Sequence, residues 1–198
     1  MSFSFYCVEP SYCDYLREYD PKVPYTMDKK STRPFIGIVL NINGFDYFAP
    51  LTSPKPKHLK MKNQIDFLKI NNGIWGAINF NNMIPVPQCC LSRISMEILP
   101  TDTQDEIAYK NLLMNQLSWC NMKQHTDAIL EKALRLYTVI TTGRARKELV
   151  ERCCDFYKAE LQYWKFGIAY GEPISEAHQE VIEIVHRATP DPTEGRRR

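Results

Sequence analysis

The sequence predicts an α+β domain with a mainly antiparallel sheet, and three observations predict it. Short apolar runs separated by turn residues fill the first half of the chain, whereas runs with helical spacing fill the second. Asn43-Gly44 joins two of the apolar runs, and a type I′ hairpin turn needs positive φ at both central residues. The length of 198 residues, with 44% hydrophobic and 24% charged, suits one soluble domain with its own core.

The elements follow in order. Phe3–Val8 is a short apolar, aromatic strand candidate, and Pro10–Tyr19 spaces Tyr12, Leu16 and Tyr19 as a helix does. A polar stretch, Asp20–Pro34, precedes the hairpin Phe35–Leu40 and Phe45–Leu51. Ile74–Phe80, Met83–Val86 and Ile94–Leu99 are further strand candidates. Asp102 or Thr103 can cap a helix through Ala108, Leu112, Leu113, Leu117 and Cys120. A second helix runs through Ile129, Ala133, Leu136 and Ile140 and stops at Gly143. A third is expected over Ala145–Phe166, and a fourth over Ser175–Arg187, which Thr189-Pro190 ends. The basic tail Asp191–Arg198 reads as disordered. Four to five helices are therefore expected, with residues 1–170 forming the domain and 171–198 an added helix and tail.

Composition excludes several classes. Seven cysteines, two pairs of them adjacent in sequence, do not form a disulfide framework. No C-x-x-C occurs and the four histidines are scattered, so neither a metal site nor a cofactor is expected. No apolar run reaches the roughly 20 residues of a membrane span. The N-terminus lacks a basic region followed by an apolar run, and the expectation is a cytoplasmic protein. Net charge is only +2, but between Asp20 and Lys69 nine basic residues face four acidic ones, a local +5. A second basic cluster comprises Arg144, Arg146, Lys147 and Arg152. Segregated charge suits a polyanionic partner, and it equally suits two solvated basic faces.

The segment most able to carry chemistry is Ala49-Pro50-Leu51-Thr52-Ser53-Pro54-Lys55-Pro56-Lys57-His58. It leaves a buried-type strand, so its polar groups emerge at a sheet end on a prolyl-stiffened loop. Metal-independent RNA cleavage asks for little more: the 2′-hydroxyl is oriented, charge on the phosphoryl oxygens is stabilised, and protons are moved. Thr52 and Ser53 can donate to phosphate oxygens, Lys55 supplies charge, and His58 titrates near neutrality. The competing reading is a polar turn whose hydroxyls bond their own backbone, with His58 a surface histidine in a lysine-rich loop.

Phe35-Ile36-Gly37-Ile38-Val39-Leu40, Ile42-Asn43-Gly44, Tyr47 and Ala49-Pro50-Leu51-Thr52-Ser53-Pro54-Lys55 together resemble the ToxN/AbiQ family of toxin endoribonucleases. Supporting matches are Tyr15-Leu16-Arg17-Glu18-Tyr19-Asp20, Lys22-Val23-Pro24, Gly76-Ala77-Ile78-Asn79-Phe80, Met83-Ile84-Pro85, and Tyr109-Lys110 with Leu113 and Gln116-Leu117. The resemblance covers roughly residues 5–167. It implies a twisted antiparallel sheet similar to the Kid/MazF toxins, with Thr52, Ser53 and Lys55 at the active site and Arg33 facing the same site. Two departures matter. Lys29 and Lys30 stand where some members have a tyrosine, and Lys57 replaces an aromatic residue before His58, which weakens the case for base stacking.

The resemblance further implies the toxin of a type III toxin–antitoxin system, active in abortive phage defence. Such a toxin cleaves single-stranded RNA to 2′,3′-cyclic phosphate and 5′-hydroxyl ends. Its inhibitor would be a repeated pseudoknot RNA that the toxin itself processes, in a closed protein–RNA ring. Lys29, Lys30, Lys57, Lys60, Lys62, Arg144, Arg146 and Lys147 are the candidate RNA contacts, the last three being equally readable as a solvated helix end. Two rivals stand beside this reading: a Kid/MazF-like nuclease with a protein antitoxin, and a non-catalytic RNA-binding module.

Overall fold

A computed structural model describes residues 2–25 and 34–169. Its centre is a seven-stranded antiparallel sheet of β1 (Ser4–Val8), β2 (Phe35–Ile42), β3 (Phe45–Thr52), β4 (Phe67–Lys69), β5 (Ala77–Asn79), β6 (Ile84–Pro85) and β7 (Leu91–Arg93). The order is β4-β5-β3-β2-β1-β7, with β6 also paired to β3. β2 and β3 form the expected hairpin, pairing Phe35 with Pro50 and Ile42 with Phe45. At its turn Asn43 has φ 52° and Gly44 φ 79°, the two positive values that a type I′ turn demands.

The helices are α1 (Pro10–Tyr19), α2 (Pro56–Lys60), α3 (Gln104–Cys120), α4 (Lys123–Thr141), α5 (Lys147–Arg152) and α6 (Phe156–Ala169). α1 has the bounds the spacing predicts, with Pro10 in its first turn. α3 starts in a reciprocal capping box: Thr103 accepts from the Glu106 amide, and the Glu106 carboxylate accepts from the Thr103 amide at 2.7 Å. α4 and α6 cover the sheet, where Phe45 meets Tyr163 and Trp164, and Tyr47 meets Phe156 edge-on. Within this core the Glu160 carboxylate accepts from the Tyr47 and Tyr137 hydroxyls at 2.6 and 2.8 Å. That satisfies a buried carboxyl whose pKa burial raises. Among the described residues, no helix is long and apolar enough to cross a membrane.

Three expectations need correction. Ile94–Leu99 is not a strand. Its neighbour β7 pairs with β1, Ile94 donates one more bond to Phe5, and β1 then runs out at Ser4, leaving residues 96–99 without a partner strand. The expected strands over Ile74–Phe80 and Met83–Val86 shrink to β5 and β6. The single helix expected over Ala145–Phe166 is two helices. Between them the Cys154 amide donates to the Asn81 carbonyl at 2.8 Å and the Asp155 amide to the Asp20 carboxylate at 2.7 Å, so neither continues a helical ladder. Asp155 then accepts from the Lys158 amide, as a cap does. β4 and α2 are additional elements: the motif segment is a strand end and a short helix. The expected helix Ser175–Arg187 lies outside the described residues.

Candidate active site

β3 ends at Thr52, still paired to Ala77 of β5. The chain then turns through Ser53-Pro54-Lys55 into α2, which Pro56 opens and which carries His58 back against the sheet end. Two close backbone approaches fix this arrangement. A Cβ on Gly76, whose φ is +92°, would lie 2.0 Å from the Thr52 carbonyl oxygen; one on Gly73, at φ +93°, would lie 2.7 Å from the His58 carbonyl oxygen. Only glycine tolerates both that φ and that proximity. The loop holding them is tied from outside, for the Gln116 side-chain amide donates to the Trp75 carbonyl at 2.6 Å.

The result is a cleft of about 390 Å³ lined by Thr52, Lys55, Lys57, His58 and, across from them in sequence, Gln64, Asp66, Asn79, Asn81 and Arg152. His58 is not the surface histidine of the bland reading. It is 2% exposed, its ring packs 5.8 Å from the Phe67 ring, and its Nε2 lies 3.5 Å from Thr52 Oγ1. Burial, then the charges of Lys57 and Lys55, lower its pKa below the usual histidine value of 6.5. The neutral, proton-accepting imidazole therefore dominates at pH 7. Its Nδ1 is buried without a partner among the described residues.

Thr52 Oγ1 donates to the Ser53 carbonyl at 3.1 Å, the local bond that a polar turn predicts. The same oxygen lies 3.5 Å from His58 Nε2, so that a turn of the hydroxyl can point its proton at the imidazole instead. The Ser53 side chain is exposed, and it does not line the cleft. Lys55 and Lys57 are exposed on the cleft's own segment, and Lys60 and Lys62 are exposed beyond it. Arg144, Arg146 and Lys147 lie where α4 passes into α5, exposed to solvent. Lys29, Lys30 and Arg33 lie outside the described residues.

Sequence reasoning missed the far wall. Arg152 Nε donates to Asp66 Oδ2 at 2.5 Å across 86 residues of chain. No local pattern signals such a pair. Asn71-Asn72-Gly73 and Gly76 did carry a signal, since all four residues have positive φ. Among the described residues, no group of three or more His, Cys, Asp or Glu side chains could hold a metal ion.

The chain matches the family model for toxin ToxN of type III toxin–antitoxin systems over residues 4–164. It is 33% identical over 160 residues to endoribonuclease ToxN of Bacillus thuringiensis subsp. kurstaki, covering 79% of this chain and 80% of that one. A solved structure describing selective toxin inhibition by a non-coding RNA pseudoknot superposes with a TM-score of 0.68 at 30% identity, over 84% of this chain and 98% of its own. Another, of an antiviral system regulated by a processed non-coding RNA, gives 0.68 at 32%, over 83% and 99%. With the family model spanning most of its length, this chain belongs to the ToxN family of type III toxin–antitoxin toxins.

Proposed function

We propose that this chain, an endoribonuclease toxin by family, cleaves single-stranded RNA without metal in the cleft between Thr52 and Arg152, leaving a 2′,3′-cyclic phosphate and a 5′-hydroxyl. One observation carries the reading: a hydroxyl, two ammonium groups and a neutral buried imidazole converge on one cleft. The 2′-oxygen attacks the adjacent phosphorus in line, and its proton passes by way of the Thr52 hydroxyl to His58 Nε2. Lys55 offsets charge on the phosphoryl oxygens and stands ready to protonate the leaving 5′-oxygen. Ser53, exposed beside Thr52, donates to a phosphate oxygen of the bound strand, and Arg33 adds charge.

The partner is a repeated pseudoknot RNA that blocks the cleft and is itself processed, closing into a protein–RNA ring in the cytoplasm, where the toxin restricts phage. The relatives' RNA-inhibited structures and the exposed lysines Lys57, Lys60 and Lys62 support this. Incubating the purified protein with RNA and a chelator is the test, with the product ends identified. Cyclic phosphate ends support the reading. Cleavage that needs metal overturns the mechanism, and no cleavage leaves an RNA-binding module. RNA carried through purification supports the RNA antitoxin; a co-purifying protein inhibitor in its place contradicts it.

A further inference from the structure

We propose that Arg152 is a second phosphate-binding cation of the cleft, positioned by the buried carboxylate of Asp66. The inference rests on the ribonuclease reading above and adds the wall opposite the Thr52–His58 segment. A guanidinium carries five N–H donors in a fixed fork. Nε is committed to Asp66 Oδ2, one donor on Nη2 to Gln64 Oε1 at 3.3 Å, and one on Nη1 to the Glu148 carbonyl at 3.4 Å. Two donors stay uncommitted among the described residues, on a side chain that lines the cleft and is 44% exposed. Such a fork matches the oxygens of a phosphate better than a lysine does.

The partners are held on both sides. Asp66 has a side chain only 6% exposed, and its carbonyl accepts from the Phe80 and Asn81 amides at 2.9 and 3.3 Å. Asn81 in turn donates from its side chain to the Arg152 carbonyl at 3.2 Å. The second carboxylate oxygen of Asp66 is buried with no partner among the described residues. A half-satisfied buried carboxylate is a poor stabilising device, but it is a good anchor for an arginine that must stay in one place. Asp66 is thus a positioning residue and Arg152 the group that meets RNA.

Single-turnover cleavage of a short RNA, in chelator and at saturating protein, tests this with wild type, Arg152→Ala, Arg152→Lys, Asp66→Asn and the double variant Asp66→Asn/Arg152→Ala. Circular dichroism checks that each is folded. Arg152→Ala should lose about 10²–10³-fold in rate, the size of one lost transition-state donor. Low millimolar guanidinium should restore part of that rate, and restore none to Thr52→Ala, a response that a purely structural Arg152 would not give. Asp66→Asn should slow the wild type yet slow Arg152→Ala no further. A folded Arg152→Ala that cuts at wild-type rate, or one that guanidinium leaves unrescued, overturns the proposal. Should Arg152→Ala not fold, Arg152→Lys decides: a rate unchanged from wild type overturns it. Wild type that does not cut RNA sinks the ribonuclease reading itself, whereas an active wild type with an indifferent Arg152 sinks this proposal alone.

Discussion

Arg144 and Arg152 belong to one basic run in the sequence, yet the fold puts them to different uses. Arg152 is pinned by Asp66, with its guanidinium on the cleft wall. Arg144 and Arg146 are exposed, with no side-chain partner among the described residues, and Lys147 faces Glu151 at 3.8 Å where both are largely solvated. A fixed charge costs no reorganisation when the transition state forms, so it can act in chemistry; a free charge contributes mostly by releasing counterions from RNA. The same contrast divides His58, buried and aimed at Thr52, from Lys60 and Lys62 on the outer side.

The largest expected effect comes from the fixed side. His58→Ala should cut the cleavage rate by about 10²–10⁴-fold, the range of a lost proton-transfer group. In the wild type the rate should fall only as pH drops below the ordinary histidine value, because burial, Lys57 and Lys55 lower the His58 pKa. A rate measured from pH 4.5 to 8 should therefore bend below 6.5 in wild type and lose that bend in the variant. A variant that keeps both the rate and the bend removes His58 from the chemistry.

Next in size is Gly76→Ala. The positive φ alone should cost about 1–3 kcal/mol, and the contact with the Thr52 carbonyl adds to it. Denaturant melts should show the loss, whereas Gly143→Ala, with open space around its Cβ, should bear only the φ cost. Equal losses at the two glycines would mean that the loop does not press on Thr52.

Stability should also follow pH through His58. Its folded pKa is lowered, so the unfolded chain binds the proton more readily. The stabilisation is then complete above about pH 6.5, the unfolded value, and is lost as pH falls through it toward the folded value. Melts of His58→Ala should lack this component. The smallest effect belongs to the free side: Arg144→Ala with Arg146→Ala should reduce the salt slope of RNA binding by about 0.7 per lost phosphate contact. An unchanged slope takes that surface out of the RNA interface.

Much of the frame was legible because local physics fixes it. Asn43-Gly44 announced the hairpin, Asp102 or Thr103 the start of α3, where Thr103 proves to be the cap, and the spacing from Pro10 to Tyr19 the extent of α1. The break between α5 and α6 was not legible. Cys153, Cys154 and Phe156 continue an apolar pattern, and only tertiary bonds from Asn81 and Asp20 divert the backbone. The near wall of the cleft could be read because Thr52, Lys55, Lys57 and His58 lie in one short segment. The far wall could not, since Asp66 and Arg152 meet only through the fold. The burial of His58 was hidden for the same reason, as its neighbours Lys57, Leu59 and Lys60 are all exposed.

One measurement tests most directly whether the chemistry resides in the fixed cleft and not on the basic surface. Single-turnover cleavage of one short RNA, at saturating protein and in chelator, would compare Thr52→Ala with Arg144→Ala/Arg146→Ala. The account predicts that Thr52→Ala loses about 10²-fold or more in rate, while the surface variant cuts as fast as wild type once RNA is bound. Cleavage by Thr52→Ala at wild-type rate, or an equal loss in the surface variant, would contradict it.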